Sequence, residues 1–179
     1  MFDEQFTAAV TKDKNLFSMP EYSLITVYDD NFFVRNDYDI LSQGQRQYLI
    51  HFFTKHGFTQ KTGKTLANQA YTVHFPTPSA NLAVSAFDNK YLHYDSHHQY
   101  CITPTQFAEV LFYDHKKVGY YPTIARIKAL IETCPFNIEW LRDISYHSEI
   151  EQITKNTFPE LMDYQKQVIA AKFKRKRAL

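Results

Sequence analysis

The chain has 179 residues and a formal net charge of +1; 16% of its residues are aromatic and only four are glycine. A chain of this length can bury roughly 70% of its unfolded surface, and we expect a core rich in rings. With so few glycines and no Gly-x-Gly, a Rossmann-type dinucleotide site is not expected, because close approach of the backbone to a pyrophosphate requires glycine.

The near-neutral total conceals an acidic body with a basic C-terminal end. Residues 164–179 contain six Lys/Arg and no acid, whereas residues 1–163 contain 14 Lys/Arg against 19 Asp/Glu, a net of −5. Such an asymmetry indicates a polyanionic partner for the C-terminal end.

The sequence also predicts a compartment. The first four residues have neither the basic start nor the apolar stretch of a signal peptide. No run approaches the ~18 apolar residues of a membrane span. The two cysteines, Cys101 and Cys134, do not make a disulfide framework. We therefore expect a cytoplasmic protein with free thiols.

A helix and a hairpin are predicted at the start of the chain. Apolar residues recur there at helical spacing, at Phe2, Phe6 and Val10. A strand over 22–28 and a returning strand over 32–35 then flank a turn of Asp and Asn at 29–31.

A capped helix is predicted next. Ser42 and Gln45 have the spacing of a capping box, and Gly57 can end the helix in the left-handed conformation. The apolar stripe of this helix consists of Tyr48, Leu49, Phe52 and Phe53.

The region from 58 to 103 is predicted to be sheet. Runs of aromatic and β-branched residues predict strands at 71–75, 82–87, 91–94 and 98–102. The spacers between them are short, which favours antiparallel pairing, because a parallel crossover needs a dozen or more residues.

Four helices are predicted in the remainder of the chain. Each has a recognisable start signal: Thr103 with Gln106, Pro122, Asn137, and Thr157 with Glu160. The predicted fold is α+β, a single domain of residues 1–179. An antiparallel sheet or set of hairpins in the first ~105 residues packs against a helical C-terminal half, and residues 164–179 form a basic helix end and tail.

The densest cluster of potential metal ligands lies between His93 and His98. On a continuous strand, His93, Asp95 and His97 project from one face, where imidazole and carboxylate suit Zn²⁺ or Mn²⁺. If Asp95 and Ser96 form a two-residue turn, His93 instead faces His98 and the three-ligand face is lost. Because no matched distant ligands accompany the cluster, a solvated polar segment is favoured, and we expect no tight metal binding and no cofactor.

Two further motifs do not fit a catalytic or phosphate-binding interpretation. Segment 63–65 is Gly-Lys-Thr, the end of a P-loop, but five residues separate Gly57 from Gly63 where the motif needs four. A hairpin turn is favoured. Segment 114–116, with Asp95 or Glu109 upstream, has the acids and lysine of a metal-dependent nuclease. That chemistry needs a strand, and we predict a helix end.

Three remaining candidates also have simpler interpretations. Cys101 or Cys134 could act as a nucleophile, but free cysteines are mostly small buried hydrophobes. Four aspartates between residues 29 and 39 could do acid–base chemistry, but Asp is also a turn former. The helix pair over 122–146 could read a DNA groove, but its acidic second helix suits phosphate poorly, and an ordinary helical hairpin is favoured.

The basic C-terminal end remains the strongest functional signal. Its cations are Lys172, Lys174, Arg175, Lys176 and Arg177. Such an end can keep a protein in solution, neutralise DNA or RNA phosphates, or attract anionic lipid with Ile169 and Phe173 as shallow anchors.

We therefore expect a non-enzymatic accessory protein that uses these cations to bind nucleic acid weakly and without sequence preference. One alternative is a metal-dependent hydrolase or nuclease that uses the His93–His98 cluster. Another is a protein-interaction or oligomeric module, which an apolar patch of surface rings would favour.

Overall fold

The protein consists of a mixed sheet with helices on both faces. The computed structural model describes residues 4–29, 39–77, 87–139, 141 and 151–173. The described helices are α1 (Glu4–Lys12), α2 (Gln43–Lys55), α3 (Pro104–Tyr113), α4 (His115–Val118), α5 (Tyr120–Thr133) and α6 (Glu151–Val168), which continues as a π-helical turn, Ile169–Phe173. The described strands are β1 (Leu16–Ser18), β2 (Leu24–Val27), β3 (Thr59–Thr62), β4 (Thr65–Ala67), β5 (Thr72–His74) and β6 (His98–Cys101).

The strand order is β1-β2-β6-β5-β4-β3. The pairs β1–β2, β3–β4 and β4–β5 are antiparallel. Antiparallel pairing was predicted for region 58–103, which contains the last two of these pairs. However, β6 runs parallel to both of its neighbours, β2 and β5. The α+β class is therefore confirmed, but the sheet is mixed. The chain between β5 and β6 spans residues 75–97, which is long enough for a parallel crossover.

Each face of the sheet is covered by its own hydrophobic cluster. Adjacent residues of β2 belong to different clusters, since Leu24 joins the one with Phe107 and Ile25 joins the one with Phe53. Because successive side chains of a strand point to opposite faces, α1 and α2 cover one face, and α3, α5 and α6 cover the other. The predicted helical half thus packs on one face, and the N-terminal helices close the second.

The predicted start signals of two helices are confirmed. Ser42 accepts a hydrogen bond from the backbone of Gln45, whose side chain in turn accepts one from the backbone of Ser42. Thr103 and Gln106 make the same reciprocal pair at the start of α3. Gly57 follows α2 with a φ of 82°, the left-handed conformation expected for it.

Two predicted elements are wrong. Residues 91–94 are not a strand, because the Asp88 side chain accepts a hydrogen bond from the Lys90 backbone and caps a 3₁₀ helix, Asn89–Leu92. Thr157 does not begin a helix, because α6 has already begun at Glu151 and runs through Thr157 and Pro159. Helix α4 and strand β1 had no predicted counterpart.

Several expectations fall outside the described residues. They are Phe2 of the first helix, the turn after Asp29, the returning strand over 32–35, residues 82–86 of one predicted strand, and the third predicted helix beyond residue 141. Within the described ranges, no helix is both long and apolar enough to cross a membrane.

Candidate nucleic-acid interface

The basic C-terminal segment, residues 174–177, follows a helix that is packed against the body of the protein. Leu161 and Val168 of α6 are buried in the cluster shared with α3 and α5. At the end of the π-helical turn, the Phe173 ring stacks on Tyr28, with the ring centroids 5.0 Å apart and the planes 16° apart. Tyr28 is itself buried directly after β2. The course of the chain is therefore set as far as Phe173.

Polar contacts join the same helix to α5. Glu132 accepts a hydrogen bond from the Tyr164 hydroxyl and pairs with the ammonium of Lys172. One turn earlier on α5, Lys128 pairs with Glu160 at 2.7 Å. These groups are partly exposed, so each pair contributes little to stability. Together with the ring stack, they orient the end of the helix.

The structure describes one of the five predicted nucleic-acid-binding residues. This is Lys172, whose charge is partly compensated within the protein by Glu132. The other four directly follow Phe173 in the sequence and lie outside the described residues: Lys174, Arg175, Lys176 and Arg177. The Phe173 ring stacks on Tyr28. It is therefore not the exposed lipid anchor that the sequence allowed as an alternative.

A second cationic segment, residues 115–131, was not singled out from the sequence. It contains four Lys/Arg and no acid. Arg126 pairs with Glu21 at 2.8 Å, and Lys128 pairs with Glu160. Lys116 and Lys117 lie exposed on α4. The sequence signal that marks this segment is the absence of acids from position 115 to position 131, around a Tyr-Tyr pair.

The Tyr-Tyr pair begins α5 at a sharp turn of the chain. Gly119 has a φ of 89° and its carbonyl accepts hydrogen bonds from the backbone and hydroxyl of Thr123. The Tyr120 hydroxyl is 3.0 Å from the Thr157 hydroxyl of α6. The Tyr121 side chain is 84% exposed and meets the Tyr120 ring edge-on, with the centroids 5.3 Å apart.

The residues of the proposed histidine site do not share a strand face. His93 ends the 3₁₀ helix and is exposed. Asp95 accepts hydrogen bonds from the backbone amides of His97 and His98, which turns the chain into β6 and lowers the pKa of the Asp95 carboxyl. His97 is exposed beside the Ala70 carbonyl, 3.4 Å from its Nδ1. Among the described residues, no group of three or more His, Cys, Asp or Glu is arranged to hold a metal ion.

The structure pairs His98 with a residue that the sequence did not suggest. His74 Nε2 of β5 lies 2.9 Å from His98 Nδ1 of β6, and the His74 ring stacks on Tyr100. Burial, the neighbouring His98 and the Lys90 ammonium all lower the pKa of His74. Two imidazoles in hydrogen-bond contact are the result of the parallel pairing of these strands, which places them diagonally on one face.

Asp114 belongs to a buried network and not to a strand-borne nuclease site. It ends α3, as predicted for a helix end, and it is 6% exposed. Its Oδ2 accepts a 2.5 Å hydrogen bond from the Tyr22 hydroxyl, and Arg126 Nη1 lies 3.4 Å from the same oxygen. Burial and the contact with Asp114 raise the pKa of Tyr22. This network ties the chain before β2 to α3 and α5.

The two cysteines are buried core residues, and the Gly-Lys-Thr segment is part of a hairpin turn, as the simpler interpretations of the sequence predicted. Cys101 and Cys134 are buried and form no disulfide with each other, and burial raises the pKa of the Cys101 thiol, which opposes formation of a reactive thiolate. Segment 63–65 forms the turn between β3 and β4 and the first residue of β4. Lys64 donates to the Thr77 hydroxyl at 2.8 Å.

An open cleft of about 590 Å³ lies beside the edge strand β3. It is lined by residues that include His56, Lys61, Asn68 and Tyr71. The Asn68 side-chain oxygen accepts hydrogen bonds from the backbone of Ala70 and Tyr71. This polar group therefore shapes the loop between β4 and β5.

Comparison of the chain with models of known families, with curated proteins and with solved structures finds no match.

Proposed function

We propose that this protein binds DNA or RNA weakly and without sequence preference, as a non-enzymatic accessory protein, through its basic C-terminal segment. The observation that carries the proposal is the placement of four cations immediately after an anchored residue. Lys174, Arg175, Lys176 and Arg177 follow Phe173, whose ring is stacked on Tyr28. Without these four residues, the chain has 16 Lys/Arg against 19 Asp/Glu.

Phosphate neutralisation explains why such a segment would bind. Each cation that pairs with a phosphate releases condensed counterions, and this term supplies essentially all non-specific affinity. The remainder of the chain has a net negative charge and repels the same polyanion, which makes the basic end the main source of phosphate contacts. Contacts between Lys or Arg and phosphate fix position without reading bases, so sequence preference is not expected.

We place this activity in the cytoplasm. Two buried cysteines that form no disulfide with each other suit a reducing compartment, since oxidising compartments favour disulfides.

RNA and DNA present the same phosphate charge to the basic segment, so an RNA strand and a DNA strand of equal length are both suitable probes.

The test is a salt titration of binding by the intact chain and by a chain that ends at Phe173. Truncation at this point removes four positive charges and retains the ring stack on Tyr28. On duplex DNA each neutralised phosphate contributes about −0.9 to the slope of log K against log salt. The intact protein should therefore have a slope steeper by about 3.6, and the truncated protein should bind far more weakly at low salt.

A matched control changes the same number of charges elsewhere. Four exposed lysines of the N-terminal half are replaced by Gln: Lys12, Lys55, Lys61 and Lys64. This variant should retain the slope of the intact protein. Equal slopes for the intact and truncated chains, or no binding by the intact chain at low salt, would assign the segment to solubility alone.

A further inference from the structure

We propose that Tyr121, which follows the exposed Lys116 and Lys117 in the sequence, is a second nucleic-acid contact, on which a base of a single strand stacks. The inference rests on the proposed function and names its substrate class, single-stranded DNA or RNA. Aromatic rings on a cationic surface are the features with which proteins hold single strands, since every base has a π-face.

The exposure of the ring is the first observation. Tyr121 is 84% exposed, and the next most exposed large hydrophobic side chain in the described part of the protein, Tyr94, is 45% exposed. The backbone that carries the ring is well defined by its neighbours. Tyr120 is bound through its hydroxyl to Thr157, and its ring meets that of Tyr121 in a T-shaped contact with the centroids 5.3 Å apart. A ring carried on an ordered backbone stacks on a base at a smaller entropic cost than a ring on a mobile segment.

The surrounding charge is the second observation. Exposed single tyrosines are common on protein surfaces, but this one lies in segment 115–131, which contains no acid. Lys116 and Lys117 are exposed on α4, just before Gly119. They add two positive charges close before the ring in the sequence, and cations near a stacked base can pair with its flanking phosphates.

The relative position of the two contacts is the third observation. Successive contacts between α5 and α6 join Tyr120 to Thr157, Lys128 to Glu160, and Glu132 to Tyr164. The two helices therefore run in the same direction. Lys172 also pairs with Glu132, so Phe173 lies near the end of α5 that is remote from Tyr121. The length of α5 separates the ring from this end by about 18 Å at 1.5 Å per residue. A single strand that follows α5 would pass from Tyr121 towards Phe173, the last described residue before the four cations.

The expected preference for single-stranded over duplex nucleic acid follows from the chemistry of base stacking. Bases within a duplex are already stacked on their neighbours, whereas bases of a single strand are free to pair with a protein ring. The charged segment after Phe173 neutralises phosphates of either form. Preference for the single strand is therefore assigned to Tyr121.

The experiment compares Tyr121→Ala and Tyr121→Phe, each in the full chain, with oligo-dT and with a duplex of equal length. Tyr121→Ala should weaken binding to oligo-dT by about tenfold, the usual effect of losing one stacked base, and leave binding to the duplex unchanged. Tyr121→Phe should retain the affinity of the intact chain. The salt slope should not change, because the ring carries no charge.

Tyr94→Ala is the matched control, since Tyr94 is also an exposed tyrosine and lies on a different part of the chain. It should leave both affinities unchanged. If truncation after Phe173 abolishes binding while Tyr121→Ala changes nothing, this inference fails and the proposed function stands. An equal loss for duplex and single strand would also overturn it. If the intact chain binds neither probe, both proposals fail.

Discussion

Phe53 is the residue on which the N-terminal cluster centres. Its side chain is fully buried and its ring contacts three others: Phe6 at 5.6 Å, Phe52 at 5.7 Å and Phe58 at 5.1 Å. Phe52 is 8% exposed and packs on His56 at the edge of the same cluster. The apolar stripe predicted for this helix is therefore confirmed, with Phe53 as its most enclosed ring.

We expect Phe53→Ala to lower the free energy of unfolding by about 3–5 kcal/mol, because it leaves a cavity among rings that cannot collapse into it. Phe52→Ala should cost less, because its site opens to solvent. The measurement is the urea midpoint at constant m-value. Gln47→Ala, on the exposed side of α2, is the control and should change stability by less than about 0.5 kcal/mol. Equal effects of all three changes would show that the stripe is misassigned.

The His74–His98 pair gives a second expectation for a single residue. Burial and the like charges of His98 and Lys90 lower the pKa of His74, and Asp95 opposes them. Below a pH of about 6.5 the unfolded chain takes up a proton at this position that the folded chain resists. The folded state therefore loses stability as pH falls through this range, and above it both states are neutral and the effect is absent.

We expect an NMR titration of the imidazole signals to give a pKa for His74 below the ordinary value for histidine. In His98→Asn the pKa of His74 should rise, since a like charge is removed, but remain lowered by burial. His93→Asn is the matched control, because His93 lies at the exposed end of the 3₁₀ helix. An unshifted His74 in the intact chain would contradict the hydrogen-bonded pair.

The helices show which local signals specify an element. At the start of α2, Gln45 satisfies the backbone of Ser42 through Oε1 and donates from Nε2 to the carbonyl of Val27 in β2. One side chain therefore both caps the helix and fixes it to the sheet. The capping signal involves residues three apart and needs no tertiary contact to form.

We expect Ser42→Ala to destabilise the protein by about 1 kcal/mol, through loss of the hydrogen bond to the Gln45 backbone. Ser42→Gly should cost only a few tenths, since glycine is tolerated at this position. Thermal unfolding of the two variants at equal concentration provides the measurement. If Gly were as costly as Ala, the effect would come from general loss of the side chain and not from capping.

Elements that depend on distant contacts could not be predicted in the same way. Thr157 and Glu160 have the spacing of a capping box, but α6 has already begun at Glu151, and the pattern has no capping role inside a helix. The antiparallel expectation for β6 assumed a strand at 91–94. With that segment capped as a 3₁₀ helix by Asp88, the connection from β5 is long and parallel pairing becomes possible.

Of the candidate site, only the positive charge of the C-terminal cations could be predicted from the sequence. The cations after Phe173 are visible in the sequence, because charge does not depend on fold. The stack of Phe173 on Tyr28 joins residues near opposite ends of the chain, and nothing local to either residue indicates it. The exposure of Tyr121 likewise depends on what α5 and α6 leave uncovered.

At the scale of the whole molecule, the sheet has one edge built to resist unintended pairing. All four residues of β3 are exposed, and this strand ends the sheet. It carries Lys61, and its register with β4 shifts between Gln60 and Thr62. An edge lysine and a bulge are both devices that prevent a strand from pairing with another chain. Association of copies through this edge is therefore disfavoured.

The central position of β6 has a consequence for how the chain acquires its fold. The β1–β2 hairpin and the β3–β4–β5 meander are each local. Among the described strands only β6 joins them, and its partner β2 lies far earlier in the sequence. Closing so long a loop raises contact order, which slows folding. During synthesis, both half-sheets must wait with an unpaired edge until Cys101 has left the ribosome. We expect the chain to be most prone to aggregation while these edges remain unpaired.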